Sequence, residues 1–142
     1  MSGFKYAKRI EVRFRDCDPM GHVNNAVYMT YLEVARFNFW RDVVGLPGPE
    51  GPGFILARSE VDYRGQAEPG DLLDVHVRAV RIGKSSFTVA SRIVRPSDDA
   101  LILDASNVLV MYDYGAKRPV PVPQAARDVL STYEGRDLSA GE

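Results

Sequence analysis

The sequence predicts an α+β domain in which an antiparallel sheet wraps one long helix, and three observations point there. Five short stretches read as strands, two of them by alternation of apolar with charged residues, one long stretch carries helical spacing, and the later strand candidates are separated by short hairpin chemistry. With 142 residues the chain is about one domain, large enough to bury roughly two thirds of its unfolded surface. The domain is expected over residues 1–134, with 135–142 as a loose tail.

Ala7 to Phe14 sets Ile10, Val12 and Phe14 against Arg9, Glu11 and Arg13, the pattern of a half-buried first strand. From Asn25 to Val43, apolar residues recur at Tyr28, Tyr31, Leu32, Ala35 and Phe39, spacings of three and four that fill one helix face. The Gly45-Leu46-Pro47-Gly48-Pro49 run stops that helix and opens a loop to Gly53. Phe54 to Arg64, Leu73 to Ile82, Ser86 to Val94 and Leu101 to Tyr112 then read as strands. Glu68-Pro69-Gly70-Asp71, Gly83-Lys84 and Pro96-Ser97-Asp98-Asp99 separate them. The last strand is apolar on both faces and is expected to be central and covered on both sides. Three prolines lead into a short final helix, Gln124 to Tyr133. One helix covers only part of one sheet face, so a homo-oligomer, dimer or tetramer, is expected to bury the rest.

Composition excludes several classes. A formal net charge of -1, with 18 basic and 19 acidic residues spread along the chain, gives no reason to expect nucleic acid or an anionic membrane as partner. Cys17 is the one cysteine, so neither an intramolecular disulfide nor a cysteine zinc site can form within a chain. No segment approaches signal-peptide or membrane-span character, and a soluble cytoplasmic protein in a reducing compartment is expected.

Chemistry concentrates between Arg15 and Tyr31. Asp18-Pro19 initiates a turn, Gly21 lets the chain pass where a Cβ would clash, and Asn24 or Asn25 caps the following helix. Free N–H groups of that helix point back toward the turn, so a carboxylate there faces an electropositive helix end. Asp18 carries a plain reading as a turn initiator and a functional one as an acid-base or nucleophilic group. His22, four residues on, reads as a loop histidine or as a group that orients water. Asp16 reads as structural. Cys17 lacks a histidine placed to activate it, His76 being set in an alternating strand with a solvated side chain, and packing is its expected role.

The run D-x-D-P-M-G-H-V-N-N-A-x-Y-x-x-Y-x-E-x-A-R, Asp16 to Arg36, resembles the hotdog-fold acyl-CoA thioesterases, in the branch that includes hydroxybenzoyl-CoA thioesterase. Ala57 to Tyr63 and Arg81 to Phe87 also look like that family's second strand and third hairpin. The resemblance implies a hotdog fold that dimerises with active sites at the subunit interface. It also implies acyl-CoA hydrolysis with Asp18 as nucleophile or general base and the Asn25 backbone N–H polarising the carbonyl. No metal and no cofactor beyond the substrate's own coenzyme A are implied. Gly21 and Tyr28 are candidate substrate contacts next to the motif, and Lys84, Ser85 and Arg58 are candidates for the coenzyme A phosphates. Two rivals stand: a hotdog hydratase or dehydratase, whose acid and histidine lie five apart rather than four, and a non-catalytic acyl-CoA or acyl-carrier binding module.

Overall fold

The computed structural model describes residues 3–45 and 53–140. Strand β1 (Tyr6–Glu11) ends earlier than its alternation suggests. Phe14–Asp16 closes a 3₁₀ turn instead, with the Asp16 N–H donating to the Arg13 carbonyl at 3.0 Å. Helix α1 (Asn25–Phe39) follows, capped by Asn24, whose side chain accepts from the Ala26 N–H at 2.8 Å. The expected helical face is the buried one, Tyr28, Tyr31, Leu32, Ala35 and Phe39. Its final turn widens into a π-helical segment, Trp40–Val44, closed where Gly45 takes a φ of 74° and donates to the Trp40 carbonyl. Most of the loop expected after Gly45 lies outside the described residues.

The strands β2 (Phe54–Tyr63), β3 (Leu72–Ile82), β4 (Ser86–Arg95) and β5 (Ala100–Asp113) match the alternating stretches closely. A two-residue β6 (Arg118–Pro119) pairs with β5, and α2 (Gln124–Glu134) closes the order. The sheet runs β1-β3-β4-β5-β2, antiparallel throughout, and curls around α1. The link from β2 to β3 is therefore no hairpin. It crosses past the ends of β5 and β4, with the Arg64 and Gly65 N–H groups both on the Ile102 carbonyl and Ala67 fully buried against Tyr28.

β2 is mostly exposed, because it forms one edge of the sheet and only Phe54 and Val61 are partly covered. Two expectations are corrected. β5 has neighbours on both edges, yet only its α1 side is buried; Val108 and Val110 on the other face are half-exposed. The described part of the segment expected as a loose tail is docked: Leu138 is 0% exposed and belongs to the same apolar cluster as α1 and the sheet. An apolar side chain in a polar segment is a weak sequence signal, and only the packing partner on β3 reveals it.

Candidate active site

The segment between β1 and α1 is a compact device with a buried anchor and a turn. Asp16 is 3% exposed and accepts from the Arg13 guanidinium at 2.8 Å, the Arg13 backbone N–H at 3.1 Å and the Tyr31 hydroxyl at 2.7 Å. Burial alone would raise the Asp16 carboxyl, but those bonds outweigh it and hold the group below its ordinary value, while burial and Asp16 together push the Tyr31 phenol up. The Asp16 carbonyl also receives the Asn24 N–H at 2.9 Å, which ties the anchor to the start of α1.

Between the two lies a hairpin. Cys17 bridges Val23, the Asp18 N–H donates to the His22 carbonyl at 2.9 Å, and the Gly21 N–H donates to the Asp18 carbonyl at 3.0 Å. Gly21 is required for its φ of 84° rather than for space, since nothing would lie within 4 Å of an added Cβ. The clash expected from the sequence is absent. Asp18 is half-buried, and its Oδ1 accepts from the Met20 N–H at 2.9 Å, the turn-initiating bond; no second bond to its carboxylate occurs among the described residues. His22 is half-buried beside it and contributes its carbonyl to the turn.

Asn24, not Asn25, is the N-cap, so Asn25 is the first helical residue. Its N–H is one of the orphan donors of a helix start and meets no acceptor among the described residues. The Asn25 carbonyl receives the Tyr63 hydroxyl at 3.2 Å, which pins the far end of β2 against the start of α1. The Asn25 N–H thus stands at the positive end of α1, two residues past the hairpin that carries the Asp18 carboxylate.

The remaining candidates are dispersed. Tyr28 is 2% exposed and belongs to the core, its hydroxyl accepting from the Ala67 N–H at 3.2 Å. Arg58 lies exposed on β2, paired with Glu60 at 2.5 Å. Lys84 and Ser85 sit in the β3–β4 hairpin, fastened by the Met111 N–H on the Ser85 carbonyl and by Arg127 and the Val122 N–H on the Lys84 carbonyl. Met111 pairs with Phe54, nine strand residues before Tyr63, so that hairpin and the start of α1 are separated by roughly 30 Å of strand. One copy of the chain does not bring them together. Cys17 is half-buried, and burial first, then the carboxylates of Asp16, Asp18, Asp71 and Glu68, raise its thiol. His76 is half-buried against Phe4 rather than solvated, and burial lowers its pKa. Arg36, which enters the sequence reading only as the last residue of the run from Asp16 and without a role, is buried near the C-terminal end of α1. Among the described residues no group of three or more His, Cys, Asp or Glu side chains is placed to hold a metal ion. No helix there is long and apolar enough to cross a membrane.

Comparison with known proteins agrees with this architecture. A thioesterase from Thermus thermophilus, solved with coenzyme A and zinc, is 38% identical and superposes with a TM-score of 0.85 over 96% of this chain and 98% of its own. A thioesterase-superfamily protein from Jannaschia sp. CCS1 is 25% identical with a TM-score of 0.86, over 96% of this chain and 87% of that one. YsmA of Bacillus subtilis (strain 168) is 26% identical over 88 residues, 62% of this chain; the match spans only 60% of that protein's length. The family model of the thioesterase-like superfamily matches residues 12–130. From Val12 in the anchor to Leu130 in α2, then, the chain belongs to the thioesterase-like superfamily, and its sheet curled about one helix is the hotdog fold.

Proposed function

We propose that the protein is an acyl-CoA thioesterase in which Asp18 acts as nucleophile or general base and the Asn25 backbone N–H stabilises the developing oxyanion. One observation carries this reading: a half-buried carboxylate and an N–H without an acceptor are fixed on the two sides of the Cys17–Val23 hairpin and the helix that follows it. In the base route Asp18 takes a proton from water while the water oxygen attacks the carbonyl carbon. The C–S bond then breaks, and the coenzyme A thiolate recovers the proton from Asp18. In the nucleophilic route a carboxylate oxygen attacks, expels the thiolate and forms a mixed anhydride that water cleaves. Either way the oxyanion forms at the Asn25 N–H, where one positioned donor contributes about a hundredfold to a thousandfold in rate. His22, beside Asp18 in the turn, takes the role of orienting the water or the acid.

Coenzyme A as the thiol is supported by its presence in the Thermus thermophilus neighbour. Lys84, Ser85 and Arg58 are the proposed phosphate contacts. Because the Lys84 hairpin lies far from Asn25 within one chain, these contacts require a second copy, and the active protein is a homodimer or homotetramer. The Met20 N–H bond to Asp18 favours a second reading, in which Asp18 only shapes the turn of an acyl-CoA binding module. Free-thiol release from a panel of acyl-CoAs, measured for wild type and Asp18→Asn, separates them. Turnover lost in the variant supports the hydrolase. Wild-type binding without turnover supports the module, and near-normal activity of Asp18→Asn overturns the role given to Asp18.

A further inference from the structure

Helix α2 does more than close the chain: it holds the β3–β4 hairpin from behind. Ala126 and Leu130, both 0% exposed, seat the helix in the core, and Arg127 beside them is half-buried. Its Nε donates to the Val122 carbonyl at 3.3 Å, and its Nη2 donates to two hairpin carbonyls, those of Gly83 and, at 3.0 Å, Lys84. The Val122 N–H reaches the same Lys84 carbonyl at 2.9 Å, and the Met111 N–H takes the Ser85 carbonyl at 2.8 Å. Among the described residues Arg127 makes no ion pair, so its guanidinium is spent on backbone oxygen.

Holding those carbonyls fixes where the N–H groups point. A planar trans peptide carries its C=O and its N–H on opposite sides. With the Gly83 oxygen drawn inward to Arg127, the Lys84 N–H must turn outward, and with the Lys84 oxygen drawn the same way, the Ser85 N–H follows. Neither N–H meets an acceptor among the described residues. Lys84 is exposed, Ser85 is half-buried, and Arg81 is exposed at the foot of the hairpin. Two successive free N–H groups with an ammonium and a hydroxyl beside them are complementary to a tetrahedral oxyanion. Lys84 and Ser85 lie between β3 and β4, outside the strand ladders, so the orientation of their peptides depends on these donors from β5 and α2.

We propose that Arg127 is a positioning residue for coenzyme A: by gripping the Gly83 and Lys84 carbonyls it presents the Lys84 and Ser85 backbone N–H groups, as a pair, to a phosphate of the substrate. This rests on the thioesterase reading above. The guanidinium is suited to the task because its planar fork reaches three carbonyls in a fixed geometry, whereas a lysine ammonium supplies the charge without the fork.

The test compares kcat/KM for thioesters of the same acyl group on coenzyme A and on pantetheine, which keeps the thiol arm and lacks the phosphates. Wild type is expected to favour the coenzyme A ester by about tenfold or more, and Arg127→Met to lower that ratio by about tenfold, chiefly through the KM of the coenzyme A ester, with Arg127→Lys losing nearly as much. A wild-type ratio near one overturns the proposal whether or not a variant folds. So does Arg127→Lys at the wild-type ratio, because charge alone then suffices. An Arg127→Met protein that slows both esters equally overturns it too, because the residue then only supports the fold. Calorimetry with free coenzyme A and free pantetheine separates this proposal from the reading it rests on. Coenzyme A binding that weakens about tenfold in Arg127→Met, with no thiol released from either ester, sustains the phosphate site and overturns only the hydrolytic reading. Thiol release with an unchanged ratio in Arg127→Met overturns only the role of Arg127.

Discussion

Asp16 and Asp18 stand two residues apart, and the fold treats them in opposite ways. Asp16 is sealed beneath α1 with its oxygens taken by Arg13 and Tyr31, and its environment favours the charged form. Asp18 sits half-exposed on the hairpin with one bond, from the Met20 N–H. A carboxylate saturated with donors is a structural fastener, since every lone pair it could offer to chemistry is already occupied. A carboxylate held by one bond on a hairpin keeps an oxygen for a proton or a carbonyl carbon. The difference arises because Asp16 closes the 3₁₀ turn beneath α1, whereas Asp18 lies beyond the Cys17–Val23 bridge on the hairpin itself.

Four substitutions sharpen or break this contrast. Asp18→Asn is expected to lower acyl-CoA turnover by about 10²–10⁴ while its urea midpoint stays near that of wild type; a large stability loss with activity retained would reverse the roles of the two acids. Asn25→Pro comes next. Proline suits the first helical position and Asn24 already has the extended conformation that precedes proline (φ -61°, ψ 134°), so the helix persists while the N–H is deleted. Steady-state assays should then show turnover reduced by about 10²–10³, whereas Asn25→Ala keeps most of it.

Asp16→Asn should act on the other side of the comparison. Denaturant unfolding is expected to show about 1–3 kcal/mol of lost stability, the cost of breaking buried charge-assisted bonds. The sign with pH follows from the lowered folded pKa: the stabilisation is present above the unfolded value of 3.8 and disappears as pH falls through the lower folded one. The gap between wild type and Asp16→Asn should therefore narrow on acidification. Gly21→Ala is the smallest change. With open space around the added methyl, the cost is that of the left-handed φ alone, about 1–2 kcal/mol by thermal melting, and activity should fall only as far as the hairpin shifts.

Much of this molecule was legible in the sequence because it rests on local periodicity. The strand stretches and turn signals of β3 to β5, the three-and-four spacing on α1 and the Asp-Pro and Gly signals of the hairpin each depend on residues close in the chain, and each has its counterpart in the structure. Alternation could not show that β2 is an edge strand, because an apolar face reads the same whether or not it is covered. Leu138 escaped for the same reason, an apolar residue in a polar tail whose burial only its packing against β3 produces.

By itself, then, the sequence determined the element types and their order, the Asp18 turn, and the helix start that follows it. Tertiary structure alone decided that β2 leaves β3 and pairs with β5, and that the Lys84 hairpin and the Asn25 N–H fall at opposite ends of the sheet. The physical reason is range. Turns, caps and periodic faces are set by neighbours within a few residues, whereas strand order and edge exposure depend on which distant segments come to lie beside one another.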